Sequence, residues 1–265
     1  MGYLHEGHLS LIRRARRENH RVVVSVFVNP LQFGPREDFG LYPRNEVQDV
    51  RMCRDAGTDW FFLPRARSLY PPGFSTVVAP GPLASRWEGA VRPGHFSGVA
   101  TVVLKLLNLA EPDTLYLGQK DYQQALIVRA MMRDLDVPYR LTVVPTVRER
   151  DGLARSSRNV YLNPDERRRA RGLIRALREG RAAVRAGVRD SRAIEARMEE
   201  ALRREAKPRR IDYLALVDPE TLEPLPRLEG RGIIIAAIRI GKTRLIDNLF
   251  VSVPRPAGKA GRGKR

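Results

Sequence analysis

Apolar positions in the first half of the chain switch between helical and strand spacing. Leu9, Ile12 and Ala15 recur at the interval of one helix face, which predicts a helix over Leu9–Glu18. His20 leads into Arg21–Val28, a β-branched apolar run of the kind that forms a parallel strand buried on both faces. The same reading gives a helix over Glu46–Ala56 ended by Gly57, a strand over Asp59–Leu63, and an apolar helix over Ser97–Ala110 capped by Ser97. A strand over Thr114–Leu117, a helix over Asp121–Leu135 and a strand over Arg140–Val144 follow. Such alternation predicts βαβ units and an α/β fold with a doubly wound parallel sheet.

After Pro145 the pattern becomes α+β. Pro164–Ala186 and Ser191–Ala206 read as Arg-rich helices, the first capped by Asn163, begun by Pro164 and ended by Gly187. Ile211–Val217, Gly232–Ile240 and Arg244–Val253 read as strands. The expected division is a larger domain over 1–147, a smaller α+β C-terminal domain over 148–253, and a Gly-rich basic tail over 254–265, expected to be disordered.

Composition narrows the class. With 265 residues, 43% of them hydrophobic, the chain can bury a large core. No apolar run reaches the ~18–20 residues that span a bilayer, and the N-terminal MGYLHEGHLSLIRRARR lacks the apolar stretch and cleavage site of a signal peptide. The single Cys53 excludes an internal disulfide or a cysteine-based zinc cluster. A soluble, cytoplasmic protein without a membrane partner is expected. The net charge of +18 has two readings. One is a nucleic-acid partner; the other is a coding bias toward arginine, with the charge spread along the chain. The second is preferred, so nucleic acid is not expected as a partner.

Candidate chemistry lies at three places. His5-Glu6-Gly7-His8 opens the first helix, where unpaired N–H groups and the helix dipole attract phosphate, and two imidazoles can donate to one polyphosphate. The alternatives are cap and surface histidines, or a zinc pair, for which no third ligand stands at helical spacing. Arg155-Ser156-Ser157-Arg158-Asn159 offers hydroxyls and guanidinium groups for terminal phosphates, or is simply a polar turn. Gly118-Gln119-Lys120-Asp121 follows a strand and opens a helix, where ligands sit in open α/β sheets; a cap beside a surface lysine is the alternative. Ile240-Gly241-Lys242-Thr243 imitates the end of a P-loop, but Ala236 stands where its first glycine would be, so a turn within a sheet is expected.

These segments occur in one order with others: MGYLHEGH, FVNPLQF, YPR, EGAVRPGHFSGVATVV, LGQKDYQQ, VPTVRERDGLARSSRNVYL and RLIDN. The set resembles the pantothenate synthetase family of HxGH nucleotidyltransferases, from Met1 to about Val253. The resemblance implies a Rossmann-like nucleotide domain, a C-terminal lid and a homodimer. It implies ATP-dependent condensation of pantoate with β-alanine through a pantoyl-adenylate, with ATP as substrate and Mg²⁺ alongside. Met1, Gly2, Tyr3, Leu4, His5, Glu6, Gly7 and His8 would line the ATP site with Gly118, Gln119, Lys120, Asp121, Val147, Arg155, Ser156, Ser157 and Arg158. His8, His5, Lys120 and Arg158 would carry the catalysis, His8 as proton donor. Gln32 and Gln124 would bind pantoate, with Asn29 beside them and Gln32 also near β-alanine. Asp49 would lie near Mg²⁺, and Glu88, Arg92 and His95 belong to a characteristic loop.

The chain departs from that pattern in three ways. The family has a strand ending in Val-Pro-Thr before the first Met-Gly, so two open sheet edges and lower stability and activity are expected without it. Gln48 stands where an acidic residue often precedes Asp49, and Arg155 where Leu or Met is usual. The competing readings are another HxGH adenylyltransferase, or a low-activity form acting as a dimerising scaffold.

Overall fold

The computed structural model describes residues 2–35 and 37–253. By its internal contacts the chain forms two compact units, Met1–Arg167 and Arg168–Arg265. The expected division at 147/148 falls inside the first unit. The tail over 254–265 lies outside the described residues.

The first unit is built from short parallel strands wrapped by helices. Helix α1 (Glu6–Glu18) leads to β1 (Val23–Ser25), α2 (Glu46–Asp55) and β2 (Trp60–Phe62). Two short helices follow, α3 (Ala66–Leu69) and α4 (Glu88–Val91), then α5 (His95–Ala110), β3 (Thr114–Gly118), α6 (Tyr122–Asp134) and β4 (Arg140–Val144). Every predicted helix and strand of this unit is present, although β1 is far shorter than the Arg21–Val28 run. Ser97 is not the cap of α5. Gly94, in the left-handed region at φ +81°, turns the chain into the helix, and the Ser97 hydroxyl donates to the Val78 carbonyl at 2.8 Å. A tertiary partner outcompetes the capping preference there.

Strand pairing is parallel, as alternation requires, but it falls into two pairs. Val24 faces Phe61 in β1–β2, and Tyr116 faces Thr142 in β3–β4. Side chains join the pairs. Tyr116 packs against the cluster of Leu4, Ile12, Val22, Val24 and Cys53, and its hydroxyl accepts from Asn19 Nδ2 at 2.7 Å. A second cluster, with Val99, Leu107, Val128 and Met131, fills the space between α5, α6 and the β3–β4 pair. Both clusters are contiguous apolar layers of the kind that stabilise α/β units.

The second unit is a three-stranded antiparallel sheet of β5 (Arg210–Val217), β6 (Arg231–Ile240) and β7 (Thr243–Ser252), with α7 (Pro164–Arg185) entering from the first unit and α8 (Ser191–Ala201) continued by a π-helical segment, Leu202–Ala206. A reciprocal Asn163–Glu166 pair caps α7. The Gly241-Lys242 turn links Ile240 and Thr243, which face each other in the β6–β7 ladder, so the P-loop look-alike is a hairpin.

Candidate active site

The segment before α1 is anchored by a buried carboxylate. Asp49, in the first turn of α2, accepts the Tyr3 amide at 2.8 Å on one oxygen and the Leu4 amide at 2.6 Å on the other. Tyr3 sits in the left-handed region at φ 55°, so the chain bends sharply there. Both Asp49 oxygens are engaged with backbone. Among the described residues no group of three His, Cys, Asp or Glu side chains gathers to hold an ion. The geometry gives Asp49 an anchoring duty. Met1 lies outside the described residues.

His5 and His8 cap their own helix. His5 Nδ1 accepts the Gly7 amide at 3.1 Å, and His8 Nδ1 accepts the His5 amide at 3.2 Å. This is a capping box built from imidazoles. The rings stack with centroids 4.0 Å apart. Because each Nδ1 accepts, each neutral ring carries its proton on Nε2. Burial, then the charges of Lys120 and Arg155, pushes His5 down to about 4. Burial and then His5 hold His8 well below the ordinary imidazole value. The site thus presents two neutral imidazoles, each with one Nε2–H donor. Gly7 is required because the His5 ring folds over it: a Cβ there would lie 2.8 Å from His5 Cε1. Glu6, expected in the nucleotide set, is exposed and pairs with Arg13 on the helix surface.

The Ser–Arg segment meets this helix start. Residues Val147 to Arg155 form a tight antiparallel loop, closed by Arg155 N–H to Val147 O at 3.0 Å and turned by Gly152 at φ +95°. Ser156 caps the short 3₁₀ turn Ser157–Tyr161, its hydroxyl accepting the Arg158 amide at 3.3 Å. The buried Ser157 hydroxyl donates to Tyr3 O at 3.1 Å. Tyr3, His5, Arg155, Ser156 and Ser157 line one cavity of about 310 Å³, with Glu149 and Arg167 in its wall. Arg167 binds Glu149 at 2.6 Å and Asp151 at 2.8 Å, stiffening the loop.

Arg158 takes a different partner. Its Nε and Nη2 donate to Asp38 at 2.9 and 2.8 Å, and its guanidinium lies 5.2 Å over the Tyr42 ring. Burial alone would raise the Asp38 carboxyl, but the Arg158 hydrogen bonds and charge outweigh it and hold it below the usual range.

Lys120 stands in the 3₁₀ turn Gln119–Asp121 after Gly118 ends β3, with Asp121 Oδ1 3.5 Å from its Nζ. Its charge depresses both His5 and His8, so it shares their neighbourhood. Gln32 closes a 3₁₀ turn, Pro30–Gln32, capped by the buried Asn29. Asn29 donates to Gly98 O at 3.0 Å and accepts from the Tyr70 hydroxyl at 2.8 Å. Gly98 has no room for a side chain, since a Cβ would lie 2.2 Å from Leu31 O. Gln124 is half-buried on α6, and among the described residues no hydrogen bond ties it to Gln32. Its neighbour Gln123 braces another loop, donating to Leu83 O and Arg86 O at 2.8 Å each.

The structure thus gathers His5, His8, Lys120, Arg155, Ser156 and Ser157, and sets Asn29 and Gln32 on one turn. Sequence reasoning missed Asp38, Glu37, Tyr70 and Arg167. The one available signal was the acidic pair Glu37-Asp38 a few residues after Gln32.

The comparisons with known proteins agree with one another. The family model described as Pantoate-beta-alanine ligase matches residues 1–250. A pantothenate synthetase of Thermus thermophilus is 55% identical over 252 residues, 95% of this chain and 91% of the relative. One of Moorella thermoacetica is 50% identical over 254 residues, 96% of this chain and 89% of the relative. The crystal structure of the Thermus thermophilus protein superposes with a TM-score of 0.91 at 54% identity, covering 94% of this chain and 90% of that one. A pantoate-beta-alanine ligase from Francisella tularensis, solved with beta-gamma ATP and beta-alanine, gives a TM-score of 0.77 at 35% identity, covering 94% and 86%. With this match to the family model and these identities over nearly its whole length, the chain belongs to the pantoate-beta-alanine ligase family.

Proposed function

We propose that the chain condenses pantoate with β-alanine in two steps at the site described above, with ATP as the activating substrate. A pantoate carboxylate oxygen attacks the α-phosphorus, a P–O bond to the β-phosphate breaks, and pyrophosphate leaves. The β-alanine amine then attacks the acyl carbon, the anhydride C–O bond breaks, and AMP departs as the amine loses its proton to solvent.

The residues suit these steps. The two Nε2–H groups of His5 and His8 face phosphate oxygens without the desolvation cost of buried cations. Lys120, Arg155 and Arg158 balance the charge that accumulates as pyrophosphate leaves. Gln32 and Gln124, which both donate and accept, hold the pantoate hydroxyls and carboxylate. Asn29 fixes the Gln32 turn. Mg²⁺ travels with the phosphates as part of the substrate, since it keeps most of its coordination to phosphate oxygens and water. The enzyme acts as a homodimer, which sedimentation of the purified protein tests.

One observation carries the reading: the helix start with its two histidines and the Ser–Arg segment are bonded together, Ser157 to Tyr3 at 3.1 Å, around a single cavity. The test is pyrophosphate release on mixing protein with ATP, Mg²⁺ and pantoate. A single stoichiometric release without β-alanine, and turnover to AMP and pantothenate with it, is expected. A dinucleotide product, or release independent of pantoate, would identify a different adenylyltransferase.

A further inference from the structure

Two consecutive carboxylates, Glu37 and Asp38, reach in different directions. Glu37 grips Arg92 at 2.9 Å on Nε and 2.5 Å on Nη2. Asp38 grips Arg158 at 2.9 Å on Nε and 2.8 Å on Nη2. Each pair is a fork-to-fork contact, the geometry in which a carboxylate fixes the plane of a guanidinium as well as its position.

Each arginine, once fixed, serves a different part of the site. Arg92 Nη2 donates to Gln32 O at 3.2 Å, and His95 Nδ1 donates to the same carbonyl at 2.8 Å. Since Nδ1 donates, His95 Nε2 accepts, and Arg92 Nη1 faces it at 3.1 Å. Glu88 closes the set at 3.4 Å from Arg92 Nη1. Arg92 and His95 are both largely buried, so the Gln32 carbonyl is held between donors that have few other conformations. On the other side, the Asp38 pair takes the Nε and Nη2 edge of Arg158 and so fixes the plane of its guanidinium, Nη1 standing outside that fork. Tyr42 beneath that guanidinium, and Tyr161 donating to Leu41 O at 3.0 Å, pin the 38–42 segment to the Ser–Arg turn.

We propose that Glu37 and Asp38 are positioning residues for the two halves of the reaction: Glu37, through Arg92, sets the Gln32 turn that takes the acid substrate, and Asp38 sets Arg158 for the polyphosphate. Adjacency along the chain makes one loop the ruler between the two substrates, which in-line attack requires to be placed within a fraction of an ångström. This rests on the function proposed above.

The experiment is steady-state kinetics of Glu37→Gln, Asp38→Asn and the double variant, with melting temperatures. Wild-type pantoate-dependent pyrophosphate release is measured first, and its absence would refute the functional reading rather than this one. Glu37→Gln should raise the KM for pantoate about tenfold and leave the KM for ATP within about twofold, the loss of a charge-assisted hydrogen-bond pair at one substrate. Asp38→Asn should lower kcat for pyrophosphate release about tenfold, with the pantoate KM within about twofold. Arg92→Lys, which keeps the charge but loses the fork, should reproduce Glu37→Gln, and it serves as the test should that variant fold poorly. Variants that move both KM values equally, or leave both substrates untouched, would overturn the proposal.

Discussion

The imidazole pair and Arg158, both expected among the ATP-binding residues, are held by opposite means. His5 and His8 are fixed by bonds two and three residues long, Gly7 N–H to His5 and His5 N–H to His8. Arg158 is fixed by Asp38, 120 positions away, and Ser157 by Tyr3, 154 positions away. A locally wired element keeps its geometry whenever its helix forms. A long-range one keeps it only while several elements stay in register. The first kind of wiring suits donors that must be correct before any substrate arrives. The second suits groups whose spacing must track two substrates at once.

The sharpest way to break the comparison is at His8. His8→Ala should lower kcat on the order of 10²-fold, as expected when a donor to developing charge is lost. Stability should fall by only about 1 kcal/mol, the usual worth of a cap. Steady-state rates and a thermal melt measure both. A variant that unfolds, or one with near wild-type adenylate formation, would show that the imidazole pair is not the self-contained donor described here.

Gly98→Ala attacks the long-range wiring instead. The added Cβ would sit 2.2 Å from Leu31 O and 2.6 Å from Gln32 N, both backbone atoms that cannot step aside. We expect a loss of about 2–3 kcal/mol in stability from overpacking, with a pantoate KM raised more than the ATP KM. Equal effects on the two substrates would mean that the Gln32 turn is not an independent part of the site.

How much of this was legible in the chain follows the same division. The four-residue histidine motif, the strand–helix alternation and the Gly241-Lys242 turn are local patterns, and each was readable from spacing alone. The tautomers were not, because they depend on which ring nitrogen meets a backbone amide. Nor was the Asp49 anchor, since the Tyr3 and Leu4 amides it accepts lie 46 and 45 positions away. The mistaken Ser97 cap has a similar cause: Val78 O, 19 positions earlier, claims the hydroxyl. The acidic pair Glu37-Asp38 could be seen in the chain but not what it binds, and Tyr70 gave no signal, because the partners lie 120 and 41 positions away. The sheet, expected as one, pairs as two because strand contacts too are a long-range property.

Asp49 allows a smaller test. Asp49→Asn keeps the shape but sets an amide NH₂ against one of the Tyr3 and Leu4 amides, which should lower stability by about 1–2 kcal/mol. The Mg²⁺ concentration giving half-maximal rate should not change. An unchanged melting temperature together with a raised Mg²⁺ requirement would return Asp49 to the role of metal ligand.

The smallest effect expected is in pH, and it separates the free site from the occupied one. His5 and His95 are both pushed down to about 4, by burial first, so the folded protein binds protons there less readily than the unfolded chain does near 6.5. Their contribution to stability is therefore complete above about 6.5 and is lost as pH falls through about 4. The free protein should melt at lower temperature across that window, and His5→Gln should flatten part of the slope. Polyphosphate beside His5 has the opposite action: it favours the imidazolium and draws the pKa upward from about 4, so nucleotide binding should take up protons on the acid side, as pH falls from about 6 toward 4, while the ring stays a neutral donor near pH 7. Calorimetry in buffers of different ionisation enthalpy reads that uptake directly, and its persistence in His5→Gln would place the phosphates away from the first helix.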